Sequence, residues 1–262
     1  MSMFISFFPP LLNVVVTGIF AGVVISHYLR RHRQYQLFWS IALGMAFLAT
    51  LLYVAMLLVQ PTSEIGMLFF RGYYILGAAL MPAWLGLGSL ALVSNGIVTR
   101  ICLTVLYLLS VLAAFFIFFA QIDKAHLSQI AGTPGAGVLI PGPWLVLLIV
   151  LNTLGVVAVV GVAAYSGWKL ARKQDSIAGL RTSNLWWANV LILIGDLLNG
   201  IAGSMARFLS IQSTFWLIMA VGWSVFFAGV LLTSRRSSQA PTPAGNTQSK
   251  KQLRPASARH AG

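Results

Sequence analysis

The stretch ICLTVLYLLSVLAAFFIFFA, residues 101–120, runs for 20 residues without a charge. A helix of about 20 apolar residues is what crosses the hydrocarbon core of a bilayer, and no periodicity is needed for that reading. Six further segments pass the same test. The seven spans are expected near Phe8–Leu29, Gln36–Val59, Ile65–Val93, Val98–Gln121, Pro143–Leu170, Asn184–Leu209 and Ser213–Thr233. Composition agrees, because the 262 residues are 58% hydrophobic and only 8% charged, with a mean hydropathy of +0.87. A soluble domain could not expose so little charge and stay dispersed. Transmembrane barrels need short alternating strands, and these unbroken runs are not that. The expected fold is therefore all-α: a polytopic, multi-pass bundle of seven transmembrane helices in the cell membrane, residues 1–234, followed by a tail, residues 235–262.

Lysine and arginine set the orientation. Arg30, Arg31 and Arg33 follow the first span, Arg100 the third, and Lys169, Arg172, Lys173 and Arg181 the fifth. Arg235, Arg236, Lys250, Lys251, Arg254 and Arg259 follow the seventh. All but Arg71, Lys124 and Arg207 of the 17 cations thus fall at one end, which places the N-terminus outside and the C-terminus in the cytoplasm. The opening MSMFISFFPP lacks the basic region of a cleavable signal, so the first span is expected to be retained. A net charge of +13 distributed this way meets anionic headgroups rather than nucleic acid. The tail, rich in Ser, Pro, Ala and cations, reads as disordered and as a weak membrane-surface or protein-docking segment. The single Cys102 excludes an internal disulfide.

Spans one and five align without gaps. NVVVTGIFAGVVISHYLRRHR from Asn13 lies over NTLGVVAVVGVAAYSGWKLAR from Asn152, matching Asn13 to Asn152 and Gly22 to Gly161. The next spans begin alike too, LFWS from Leu37 and LWWA from Leu185. A parallel 3+1+3 repeat follows, with span four as linker. This arrangement is similar to the seven-helix architecture of microbial rhodopsins and of SWEET-type sugar transporters. The resemblance is one of helix count and orientation. Span seven carries no lysine for a retinal Schiff base, so retinal, like any other cofactor, is not expected.

One acid stands inside the spans. Asn189, Asp196, Asn199, Gly200, Gly203 and Arg207 lie within about 60° of one direction on the sixth helix. Polar and small residues on one face of a spanning helix point into the bundle, where small ones permit close contact. Arg207 is eleven residues from Asp196, roughly 16 Å along the axis, and cannot reach it. In span three Arg71, Tyr74, Ala78, Pro82 and Ser89 form a second stripe. Arg71 sits about 10 Å nearer the outer surface than Asp196, which leaves a direct pair borderline and a bridged one open. Asp196 reads either as a hydrogen-bonded packing feature or as a proton-titrating or solute-contacting group. Pro82 is expected to bend its helix. Trp84 and Trp223 lie deep enough to line a pocket, and Trp186 and Trp187 read as interfacial anchors. The loop of residues 121–144 reads first as a flexible linker, with Val138–Ile140 as the segment that would tuck in were it a lid.

Enzyme classes fall away on residue supply. Four histidines, none in a membrane core, offer neither a metal site nor a base for serine chemistry. One intramembrane carboxylate cannot do paired acid–base work. The reading that survives best is a small-solute or proton-coupled transporter with its pathway between helices three and six. A receptor-like sensor signalling through a cytoplasmic partner and a structural subunit are the alternatives. Gly18 and Gly22 are the candidate seam for a homo-oligomer.

Overall fold

The computed structural model describes residues 3–173, 181–209 and 211–234, so the tail lies outside the described residues. Seven helices are long and apolar enough to span: α1 Met3–Arg31, α2 Gln34–Leu58, α3 Glu64–Leu90, α4 Gly96–Phe119, α5 Pro143–Lys173, α6 Arg181–Phe208 and α7 Phe215–Ser234. Among the described residues the only extended pairing is a bridge between Ile122 and Leu139. The chain is an integral, multi-pass membrane protein. Its two ends are called here the loop end, which carries residues 120–142, and the basic end, which carries Arg30, Arg31 and Arg33.

Helix starts follow local chemistry. The Ser63 hydroxyl accepts from the Gly66 amide at 3.0 Å and the Asn95 side chain from the Val98 amide at 3.0 Å, each satisfying a first-turn N–H. Six helices close a ring: α1 packs on α2, α2 on α3, α3 on α5, α5 on α6, α6 on α7, and α7 back on α1. Helix α4 stands outside the ring against α3 and α5, and turns Ile101, Val105, Leu108 and Phe115 outward as a lipid-facing side requires. Helices α3 and α6 both pack on α5 and form no extended contact with each other. A pathway between them would have to cross the flank of α5.

Pro82 acts in a way more specific than a bend. The seven residues Tyr74–Leu80 just before it form a π-helical segment within α3. Proline has no N–H, so the carbonyl four residues earlier, that of Ala78, loses its helical donor. The Asn152 amide supplies one, donating to Ala78 O at 2.7 Å and to Leu148 O in its own helix at 2.8 Å. Asn13, its partner in the sequence alignment, does the same on the other side of the ring. It donates to Trp216 O of α7 at 2.7 Å and to Pro9 O in its own helix at 3.0 Å. One asparagine therefore fastens α1 to α7 and the other fastens α5 to α3.

The two bonds differ in what their loss would expose. Asn152→Ala removes a donor from a carbonyl whose α-register partner is the proline, whereas the Trp216 carbonyl still belongs to an uninterrupted helix. Asn152→Ala is expected to cost about 1–3 kcal/mol and Asn13→Ala about 1 kcal/mol. Thermal melts of the two purified variants should rank in that order, and a reversed ranking would refute the proline argument.

Candidate functional site

Two buried assemblies occupy the ring. Near the loop end an aromatic cluster joins four helices: Tyr53 of α2, Phe70, Tyr73 and Tyr74 of α3, Trp144 of α5 and Trp216 of α7. Tyr53 and Trp216 rings lie 4.5 Å apart, Tyr53 and Tyr73 5.2 Å, and Tyr74 meets Trp144 edge-on at 5.6 Å. The Arg207 guanidinium of α6 sits 5.3 Å over the Trp144 ring, a cation–π contact. The Trp216 indole nitrogen is buried beside Tyr53 without a well-directed hydrogen bond.

The loop over this cluster is a packed lid, which overturns its reading as a flexible linker. Leu127, Ile130, Val138 and Leu139 are buried, and only Ile140 of the apolar triplet faces out. The Tyr53 hydroxyl points its one proton between Ile130 O at 2.9 Å and Thr133 O at 2.6 Å. Tyr73 donates to Pro134 O at 3.1 Å and Gln212 to Ala136 O at 3.2 Å. Gly135, at φ +72°, lies where a Cβ would strike Ile130 and Phe70, so the loop closes down only with glycine there. Asp123 caps the short helix Lys124–Ser128, and its hydrogen bond to the His126 ring holds the carboxyl below its ordinary range. Tyr53→Phe removes the central latch while keeping the ring. The lid amides should then exchange with deuterium about tenfold faster, the equivalent of one hydrogen bond, while α2 and α3 stay protected.

Asp196 lies near the middle of α6 and is 6% exposed. Its Oδ2 is buried and has no hydrogen-bond partner. One turn on, Asn199 Oδ1 is buried and equally without a donor, pressed against Gly222 of α7. Helices α6 and α7 approach closely because of glycines: a Cβ on Gly195 would stand 2.6 Å from the Phe226 nitrogen and 2.7 Å from the Gly222 oxygen. Ile192, one turn before Asp196, packs in the mid-bundle cluster with Phe20, Trp223 and Phe226.

The remaining sequence candidates divide. Arg71 turns away from Asp196: it donates to Ala120 O at the end of α4 at 3.3 Å and lies 5.4 Å over Phe118. A direct Arg71–Asp196 pair is therefore absent, the helix-four terminus being nearer than mid-membrane. Tyr74 and Arg207 meet across Trp144 in the aromatic cluster, whereas Asn189 stands two turns from Asp196 on α6, half-buried. Trp84 donates to Ser110 Oγ at 3.3 Å, and Trp223 is buried against Phe20, both as packing groups. Gly200 has only Val156 near it and Gly203 nothing, so the close α6–α7 contact belongs to Gly195, which the polar stripe did not include. Gly18 is covered by the Phe47 ring of the same chain, which takes it out of an oligomer seam; Gly22 is open. Trp186 and Trp187 are exposed. Among the described residues no cluster of His, Cys, Asp and Glu could hold a metal ion.

Sequence reasoning did not single out Tyr53, Tyr73, Trp144 or Gln212. Only their aromatic or polar character was visible, and the sequence pattern that marked Val138–Ile140 does not show which residues of the helices the lid latches to. Two open hollows mark the surface, one at the basic end lined by Arg31, His32, Arg33 and Tyr35, the other beside the lid at Gln129, Thr133 and Gln212. Neither includes Asp196. No protein-family model matches this chain, and no curated protein matches it.

Proposed function

We propose that this protein is a small-solute transporter of the cell membrane, built from two three-helix halves, α1–α3 and α5–α7, with α4 as the link between them. The observation that carries the reading is the pair of equivalent fastenings, Asn13 to α7 and Asn152 to α3. Transporters assembled from parallel repeats place their solute near the midplane, where the halves meet, and expose it by rocking one half against the other. The two interfaces α1–α7 and α3–α5 are where these halves meet in the ring. A π segment and a carbonyl freed by proline at the second interface supply irregular backbone away from lipid, as discontinuous transport helices do.

In this reading the loop end is the outer side, the lid closes the outer mouth, and Asp196 lies beyond the aromatic cluster on the solute's route. The route passes through the ring between α3, α5, α6 and α7, in place of a direct α3–α6 passage. The test is uptake into proteoliposomes of a panel of radiolabelled small neutral, cationic and anionic solutes. Saturable uptake of at least one class above protein-free vesicles, reduced by Asn152→Ala, is the expected result. Uniformly passive vesicles together with a stoichiometric protein partner in native extracts would reject transport in favour of a receptor.

A further inference from the structure

We propose that Asp196 and Asn199 form a proton-binding pair whose occupancy controls the α6–α7 seam, an inference that rests on the transporter reading and gives it a coupling ion. The starting point is a mismatch of donors and acceptors. Asp196 Oδ2 and Asn199 Oδ1 are both buried acceptor oxygens, one helical turn apart, and neither has a donor. Residues at i and i+3 are neighbours on a helix surface, about 5–6 Å apart at Cβ, so the two side chains are within rotamer reach of each other. With Asp196 ionised, two buried acceptor oxygens one turn apart lack a donor in a medium that cannot solvate them. One proton resolves both deficits. It adds to a carboxylate oxygen of Asp196, and the resulting O–H donates to Asn199 Oδ1.

No other group supplies the missing charge. Helix α7 contains no titratable side chain from Phe215 to Ser234. Those of α5 are Tyr165, Lys169, Arg172 and Lys173, all toward the basic end. Tyr165 is half-exposed and turned to Trp168 and Lys169. On α6 itself, Arg181 opens the helix and Arg207 is taken by Trp144. Among the described residues the one ion pair is His126 with Asp123, at the lid.

The second half of the proposal is mechanical. Asn199 Oδ1 rests on Gly222, at the point where Gly195 lets the two helices touch. Releasing the proton leaves both buried oxygens without a donor and turns Asn199 off this seat to find one. Proton uptake therefore favours the closed seam seen here, and proton release favours its parting. Solute movement through the same ring is then tied to the protonation state of one carboxylate.

The test is infrared titration of the protein in nanodiscs, following the carbonyl band of a protonated carboxylic acid. The chain is suited to it, since it has only four Asp and Glu residues in all. The expected band is present at neutral pH, bleaches as pH rises and is missing from Asp196→Asn. In Asn199→Ala the band moves to higher frequency and its midpoint falls by about one pH unit, the equivalent of one hydrogen bond. If Asp196→Asn does not accumulate, Asp196→Glu gives the assignment by displacing the band. A neutral-pH spectrum without an Asp196 band, or one indifferent to Asn199→Ala, overturns the pair. No solute enters this measurement, so a failed uptake panel with an intact band would remove transport and leave the proton site standing, while the converse would leave transport without its coupling.

Discussion

Gly155→Val should destabilise the protein by roughly 3 kcal/mol or more, at the upper end of what overpacking costs. Gly155 of α5 is where α5 meets α3. A Cβ placed on it would collide with the Pro82 carbonyl and stand 2.8 Å from the Ala83 nitrogen, and Gly86 opposite would in turn meet the Gly155 backbone at 2.8 Å. These are backbone atoms, which cannot swing aside as a side-chain tip can. The same contact keeps Asn152, three residues earlier, in reach of the Ala78 carbonyl, so the substitution removes a hydrogen bond as well as a fit. Gly161, six residues on, has open space around it, and Gly161→Val should stay within about 1 kcal/mol of the native protein. Thermal melts in one detergent compare the two directly. Equal losses would show that α3 and α5 are not held by this contact.

What the sequence made legible, and what it did not, follows one physical division. Span number and limits were readable because hydrocarbon thickness fixes helix length and lipid punishes every charge: the run 101–120 could hardly be anything else. The burial of Asp196 was readable for the same reason. Pairings between helices were not, since lipid-facing and helix-facing residues in a membrane are equally apolar. Arg71 illustrates this, having been weighed against Asp196 by depth alone while its actual acceptor is a backbone carbonyl of α4. The lid was read as second to a linker for a related reason. Gly and Pro between residues 132 and 143 signal irregular backbone, and whether irregular backbone is loose or latched depends on Tyr53 and Tyr73, some 60 to 80 residues away in the chain. The match of Asn13 to Asn152 was legible as letters. Their shared bonding pattern was not, because each acceptor, Trp216 O for one and Ala78 O for the other, lies on a different helix far away in the chain.

Gly195→Val should carry the second large effect, about 2–4 kcal/mol, while Gly203→Val on the same helix should be nearly silent. By sequence the two are alike, and Gly203 even shares the polar face with Asp196. Close approach, however, needs room on both helices at one height, and only Gly195 faces a glycine, Gly222, across the seam. Valine there presses on the Phe226 nitrogen and the Gly222 oxygen, pushes α7 outward and withdraws the seat on which Asn199 rests. The consequence extends beyond stability. With the seam held apart, Asn199 no longer has to share a proton with Asp196, and the carboxyl should be open to water at either protonation state. Gly195→Val is therefore expected to lower the melting temperature and also to speed deuterium exchange along α6 around residue 196, whereas Gly203→Val leaves both at native values. Fast exchange in both variants, or in neither, would separate the glycine contact from the behaviour of the carboxylate and show that the seam does not govern it.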